Sequence, residues 1–146
     1  MPFKWRGQNR MRANMDRAED RFMDGVRQAV TEVTAELIGK AQLDAPVDEG
    51  TLRGSGSFYI DGQFKNDTKR GSKGDPNRTG GPEVIKKPGK IRGVVGFNTE
   101  YAAKQHEWLE AKHPKGGKAK YLELNMKKIK PKVPPVVKRV MKAHGF

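Results

Sequence analysis

One long helical pattern dominates this 146-residue chain. Its apolar residues recur at steps of three and four, which places them along one face of an amphipathic helix. They are Met15, Ala18, Phe22, Val26, Ala29, Val33, Leu37 and Ala41. Asn14 is the predicted N-cap, and Pro46 predicts that the helix ends near Asp44, because the residue before a proline avoids helical dihedral angles. So long an amphipathic helix needs a sheet to cover its apolar face.

The rest of the chain supplies short strands and helices. Strand-like patterns occur in "SGSFYIDGQF", residues 55–64, and "KIRGVVGF", residues 90–97, and "PEVIKK", residues 82–87, suggests a third strand. "NTEYAAKQHEWLE", residues 98–110, predicts a short helix, whereas "YLELNMKKIK" is compatible with either a helix or a strand. Prolines interrupt the last stretch, although "PVVKRVMKAH" is typical of a short basic helix.

These elements predict an α+β fold in which one long N-terminal helix packs on a small, mostly antiparallel sheet, with a short second helix and extended basic termini. The length predicts one domain, which we place at residues 13–128. A basic N-terminal arm, residues 1–12, precedes it, and a basic C-terminal extension, residues 129–146, follows it. Within the domain, residues 65–81 contain no hydrophobic side chain and predict a long exposed loop.

Charge is distributed unevenly along the chain, whose formal net charge is +13. Residues 1–12 carry +4, residues 65–92 carry +6 and residues 112–146 carry +10, whereas the segments between them are mildly acidic. Basic ends of this kind indicate contact with a polyanion or with an acidic protein, and solubility alone is the simpler alternative.

Composition also limits the chemistry of the chain. It contains no cysteine, which excludes disulfides and thiolate metal sites. No stretch is long and apolar enough to span a membrane, and the first residues do not resemble a signal peptide. We therefore expect synthesis in the cytosol and no contact with a membrane.

Three groups of residues are candidates for catalysis or metal binding, and none fits its motif. The acids at 44, 48 and 49 lack the alternate spacing of a calcium loop and indicate a polar turn. His106 and Glu107 resemble the start of a zinc-protease motif, but position 110 holds a glutamate instead of the second histidine. "RGSGSF" lacks the lysine of a phosphate-binding loop. We predict that the protein is not an enzyme and uses no metal and no cofactor.

Nucleic-acid binding is the main alternative from another class of function. Basic arms can neutralise phosphates without reading sequence, and such binding weakens strongly with salt. The arm residues that would make such contacts, or would dock on an acidic protein, are Lys4, Arg6, Arg10, Arg12, Lys138, Arg139 and Lys142. Aromatic residues are few, and no helix-turn-helix, zinc-finger or ribonucleoprotein motif occurs, so a sequence-reading factor is not expected.

Two stretches together resemble the small head–tail joining proteins of long-tailed bacteriophages, variously called neck, tail-completion, tail-terminator or minor capsid proteins. The first, "KAQLDAPVDEGTLRGSGSF", ends the long helix, and the second comprises "GVVGFNTEYAAKQHEW" and "HPKGGKAKYLE". In that family a long helix is followed by alanine and proline. An acidic turn that contains glycine comes next, and then leucine, arginine and serine. A tyrosine-alanine helix containing a glutamate then follows a strand, and an aromatic-leucine pair begins the last element. The matching residues are Ala45, Pro46, Asp48, Gly50, Leu52, Arg53 and Ser55, then Tyr101, Ala102, Glu107, Tyr121, Leu122 and Glu123.

The resemblance implies a structural protein of the virion neck, made in the cytoplasm of the host bacterium. It implies a homo-oligomeric ring of six subunits that joins the tail to the DNA-filled head. The implied partners are further copies of the chain, the tail tube protein and the portal-side connector proteins. A tail terminator is the preferred function, and a head-closure stopper and a portal adaptor are alternatives within the same neck.

Two surfaces acquire a role under this hypothesis. The exposed loop would reach a neighbouring subunit or the central channel through Lys69, Arg70, Lys73 and Arg78. The basic arms would meet packaged double-stranded DNA or the acidic faces of portal-side proteins. The acidic residues of the hinge "LDAPVDEGTLRGS" are then residues of a turn between helix and strand, with no catalytic role.

Overall fold

The structure, a computed structural model, describes residues 7–47, 51–65, 89–97, 99, 102–110, 112 and 116–146. Its elements in chain order are helix α1 (Gln8–Asp44), helix α2 (Thr51–Gly54), strands β1 (Gly56–Ile60), β2 (Gln63–Lys65) and β3 (Gly93–Phe97), helices α3 (Ala102–Glu107) and α4 (Tyr121–Ile129), a 3-10 turn (Lys130–Lys132) and helix α5 (Val133–Ala143). The predicted α+β fold, with a long N-terminal helix on a small antiparallel sheet, is confirmed.

Helix α1 contains 37 residues and is about 55 Å long at a rise of 1.5 Å per residue. It ends at Asp44, as Pro46 predicts, and Ala45 is already extended. Its start differs from the prediction, because Gly7 and not Asn14 is the N-cap. Good helix formers follow Gly7, and Met11 continues the apolar stripe by one more step of four. Residues 8–12 of the predicted arm are therefore the first turns of α1.

The sheet has the strand order β2-β1-β3, with both pairs antiparallel, and Phe58 lies opposite Val95. The segment predicted as a single strand at 55–64 is a hairpin of β1 and β2. Asp61 and Gly62 form its two-residue turn with φ of 47° and 75°, which is the geometry that this residue pair favours. The Asp61 carboxylate accepts hydrogen bonds from the Arg27 guanidinium at 2.7 Å and from the backbone N–H of Arg92 at 2.9 Å. These bonds tie the turn to α1 and to the residue before β3.

One face of the sheet packs on α1. Ile38, Phe58 and Ile60 are buried together and form the centre of this contact. Gly93 lets β3 approach the helix closely, because a Cβ atom at this position would lie 2.2 Å from Oγ1 of Thr34. The sheet thus covers the face of α1 that carries Val30, Thr34 and Ile38. It does not cover the predicted apolar stripe, whose residues Phe22 and Ala41 pack on the C-terminal segment instead.

The C-terminal helices cover the opposite face of α1 and run antiparallel to it. Their contacts with α1 follow one another in order: Asn125 with Asp44, Lys132 with Glu36, Arg139 with Glu32, His144 with Gln28 and Phe146 with Phe22. Val140 of α5 is fully buried. The segment predicted as a basic extension, 129–146, is therefore a packed helical layer, because its valines give it an apolar face that α1 can bury.

The first turns of α1 extend beyond this layer. Phe146 contacts Phe22, and residues 8–20 before that point are exposed except for the half-buried Ala18. We call residues 8–20 the overhang. Within the described residues no helix is both long and apolar enough to cross a bilayer.

Several predicted features lie outside the described residues. They are the third strand at 82–87, nearly all of the loop at 65–81 with its four basic residues, and the arm residues Lys4 and Arg6. The short helix predicted at 98–110 is present as α3, and the segment left open between helix and strand is the helix α4.

Candidate functional site at the junction of the two motifs

The first motif turns the chain sharply at the end of α1. Ala45 is completely buried, its N–H donates to the carbonyl of Ala41 at 2.8 Å, and its own carbonyl accepts from Nε of Arg53 at 2.8 Å. The arginine of the motif therefore closes the turn by satisfying a buried carbonyl, which would otherwise cost free energy. Its role in this chain is structural.

Helix α2 completes the turn with a buried leucine. Leu52 is 3% exposed, and its carbonyl accepts hydrogen bonds from the backbone N–H and the hydroxyl of Ser55 at 3.1 and 2.8 Å. Gln42 donates from Nε2 to the carbonyl of Arg53 at 3.0 Å, which holds the turn against the last part of α1. Leucine, arginine and serine of the motif thus each have a defined partner.

The second motif supplies the other half of the same core. Tyr121 is 1% exposed, and its hydroxyl donates to the carbonyl of Ala102 at 3.3 Å. Its ring makes edge-to-face contacts with Phe97 and His106, with centroids 4.9 and 5.1 Å apart. Burial raises the pKa of Tyr121 above its ordinary value. The tyrosine is therefore a neutral core residue.

The two motifs meet in one cluster. Ala41, Ala45 and Leu52 from the first segment pack with Ala102 and Tyr121 from the second, and the half-buried Phe97 and Leu122 flank them. Residues that are separated by half of the chain therefore form one junction, which joins the end of α1 to the starts of α3 and α4.

Asp44 links the two segments by polar contacts at this junction. Its carboxylate accepts from Nδ2 of Asn125 at 2.8 Å and pairs with Nζ of Lys118 at 3.1 Å, and its carbonyl accepts from the N–H of Lys118 at 2.9 Å. Burial acts to raise the pKa of Asp44, but the hydrogen bonds from Asn125 and Lys118 outweigh it and hold that pKa below its ordinary value. The carboxylate of Asp44 is therefore ionised and links the two segments; we call its contacts with Asn125 and Lys118 the latch.

A glycine permits the segments to touch. Gly117 has φ of +100°, and a Cβ atom at this position would lie 2.4 Å from Cα of Pro46. Next to it, the carbonyl of Gly116 accepts from the N–H of Val47 at 3.1 Å. The "GG" pair of the second motif thus provides both a left-handed backbone and a close approach to the proline of the first.

Glu107 forms an exposed ion-pair group at the edge of the junction. It accepts from Nζ of Lys120 at 2.5 Å and lies 2.8 Å from Nδ1 of His106, and Glu123 lies 3.5 Å from the same lysine. The hydrogen bond from Lys120, followed by that from His106, lowers the pKa of Glu107. Salt bridges this exposed contribute little to stability, so we assign Glu107 and Glu123 to the surface of the junction.

The structure separates the other predicted residues from this site. Asp48, Glu49, Gly50 and Tyr101 lie outside the described residues. Arg10 and Arg12 lie on the overhang, and Lys138, Arg139 and Lys142 lie on α5. Of these, Arg139 is paired with Glu32.

Sequence reasoning missed four residues of the junction, Gln42, Gly117, Lys118 and Asn125. The paired glycines were the one local signal, since a Gly-Gly step often marks a positive φ. Nothing local indicates that Asn125 should bind Asp44, because the two residues are joined only by tertiary packing.

The described residues contain no group of three or more histidine, aspartate or glutamate side chains that could hold a metal ion. Comparison with protein-family models, with curated proteins and with solved structures finds no match. The chemistry of the junction is that of a structural joint, with hydrogen bonds, one buried tyrosine and paired carboxylates.

Asp44→Asn should destabilise the protein at about pH 7 by about 1 kcal/mol, because it weakens the latch to Lys118. The pKa of Asp44 is lowered in the folded state, so the stability from its charge is present above its unfolded pKa and is lost as the pH falls through the folded one. The difference from the wild type should therefore shrink below about pH 4. Urea unfolding at several pH values measures it.

Asp16→Asn is the matched control for this experiment. Asp16 lies on the exposed overhang and makes no ion pair with a described residue, so its substitution should change stability little at any of these pH values. A destabilisation by Asp44→Asn that stays constant down to about pH 2 would contradict the ionised latch.

Proposed function

We propose that this protein is a structural subunit of the neck of a long-tailed bacteriophage, preferably the tail terminator. The observation that supports the proposal is the junction of the two motifs. Ala45 and Leu52 of the first segment pack on Ala102 and Tyr121 of the second, and these are four of the residues that carry the family resemblance. The two separated stretches that carry the resemblance therefore pack together in one unit.

The surface of the subunit fits a protein that assembles. Its sheet has three described strands on one long helix, which is a thin core. Large apolar side chains stay exposed around it, with Leu109 at 73% and Trp108 at 48%. Contact between copies would bury such side chains, and a head-to-tail contact that closes on itself generates a ring. The head-closure stopper and the portal adaptor are the alternatives in the same class.

Deletion of the gene from its phage, followed by electron microscopy of the lysate, tests the proposal. A tail terminator predicts DNA-filled heads beside detached and often over-long tails. Emptied heads beside normal tails would assign the stopper instead. Intact, infectious particles would refute a role in the neck.

Complementation of the deletion separates loss of folding from loss of assembly. Leu109→Glu changes an exposed side chain outside the described core, so the variant should fold but should assemble poorly if this surface joins subunits. Lys127→Glu is the control, because it changes an exposed residue of α4 that is paired only within its own helix. Sedimentation of the two purified variants measures assembly, and circular dichroism measures folding.

One observation favours the other class, sequence-independent DNA binding. Lys130, Lys138 and Lys142 lie on the C-terminal layer, and none of them pairs with a described acid. Anisotropy of a labelled DNA duplex at low and at physiological salt tests this function. Strong binding by the free subunit at physiological salt would support it, and binding that vanishes there would reject it.

A further inference from the structure

An apolar stripe runs along the overhang of α1 to Phe22, where the cover by the C-terminal layer begins. Met11, Met15, Ala18 and Phe22 follow at steps of four, three and four, and the two methionines are 55% and 62% exposed. The stripe continues the face on which α5 lies, because Phe22 contacts Phe146 with ring centroids 5.5 Å apart. Farther along the same face, Gly25 is buried against α5. The seam that α5 occupies therefore extends past the end of α5.

A row of basic residues lies along one side of this stripe. Arg10, Asn14, Arg17 and Arg21 each precede a residue of the stripe by one position, so they follow it along the helix at a rotation of about 100°. The three arginines make no ion pair with a described residue. Asp20 lines the same shallow groove as Arg17 and Arg21, also without an ion pair. The row therefore carries three arginines and is basic in net charge, although Asp20 lies beside it.

We propose that the overhang is a docking site for an amphipathic helix of another protein, with acidic side chains beside its apolar stripe. Such a helix would bury the methionines as α5 buries the rest of the seam, and its acids would lie opposite the arginine row. The pairing is that of a two-helix coiled coil, in which apolar seams supply affinity and flanking charges choose the partner. The proposal goes beyond the neck function and does not depend on it.

Charge argues against a second copy of this chain as the occupant. In an antiparallel pair of overhangs the same flank of each helix faces itself, so Arg10 would lie opposite Arg21 of the other copy. In a parallel pair the arginine row would face the other flank, which contains Arg12 as well as Glu19. The formal net charge of +13 adds a general repulsion between copies.

The probes are two synthetic peptides of three heptads, both with leucine at positions a and d. One has glutamate at e and g, the other has lysine there, and each is kept from self-pairing by its own charge. Fluorescence anisotropy of the labelled peptides, titrated with the full-length protein, measures binding. We expect the acidic peptide to bind and the basic peptide to bind at least about tenfold more weakly.

Two pairs of variants locate the binding. Met15→Glu should weaken the acidic peptide by about tenfold or more, whereas Met126→Glu, which changes an exposed methionine of α4, should leave it unchanged. Arg10→Glu with Arg17→Glu should favour the basic peptide, whereas Lys138→Glu with Lys142→Glu makes the same change of net charge and should not. All six substituted side chains are exposed, and thermal unfolding checks that each variant folds.

Three outcomes overturn the proposal. Equal binding of the two peptides, or binding of neither, removes the acidic helix as the occupant. Loss of binding in Met126→Glu as much as in Met15→Glu places the contact elsewhere. Self-association of the free protein in sedimentation equilibrium that Met15→Glu abolishes assigns the overhang to a second copy.

Discussion

Gly117→Ala should destabilise the protein by about 2–4 kcal/mol. The new Cβ atom would lie 2.4 Å from Cα of Pro46 and 2.7 Å from the carbonyl oxygen of Ala45, both backbone atoms that no rotamer change can move. The positive φ of 100° adds strain for any residue with a Cβ. The two motif segments must then separate, and the midpoint of urea unfolding should fall accordingly.

Gly116→Ala is the control for this prediction. Gly116 also has a positive φ, 92°, but a Cβ atom there would meet nothing within 4 Å. It should therefore show the backbone strain alone, about 1–2 kcal/mol. Equal destabilisation by the two substitutions would mean that the close approach to Pro46 contributes nothing.

Tyr121→Ala should cost about 3–5 kcal/mol, because it removes the largest fully buried side chain of the junction. Phe97 and His106 would lose their ring contact, and Ala102 would lose a hydrogen bond. Small domains are stable by only about 5–15 kcal/mol, so much of the free energy of unfolding would disappear. Urea unfolding followed by tyrosine fluorescence and far-UV circular dichroism measures the loss.

Two variants make the interpretation of this result specific. Tyr121→Phe keeps the ring and removes only the hydroxyl, so it should cost about 1 kcal/mol. Met126→Ala lies on the same helix but is half-exposed, so it should change stability by about 0.5 kcal/mol or less. If Tyr121→Ala were tolerated as well as Met126→Ala, the junction would not be part of the core.

The long helix and its end could be predicted from sequence because their signals are local. Pro46 restricts its own neighbour, and the apolar steps of three and four need only the helix itself. The hairpin was missed for a different reason. The apolar residues of 55–64 suggested one strand, although Asp61-Gly62 is a strong two-residue turn signal within it. In the structure, the turn preference of Asp61-Gly62 therefore divides the segment into two strands.

The prolines of the C-terminal segment suggested interruption, yet the segment is helical. Pro134 and Pro135 lie in the first turn of α5, where a backbone N–H has no helical partner to lose. The junction was the least predictable part. Its latch of Asp44 with Asn125, and the approach of Gly117 to Pro46, join segments that are distant in sequence and become adjacent only in the fold.

The antiparallel return of α4 and α5 along α1 has a consequence for how the chain folds during synthesis. The helix that begins at Gln8 receives its second layer from residues that are made after the sheet. As a chain emerges from its N-terminal end, α1 and the sheet can pair first, while Gly25, which lies against Met141 of α5, still lacks that partner. The helix α5 therefore packs on α1 only after α1 and the sheet have been made.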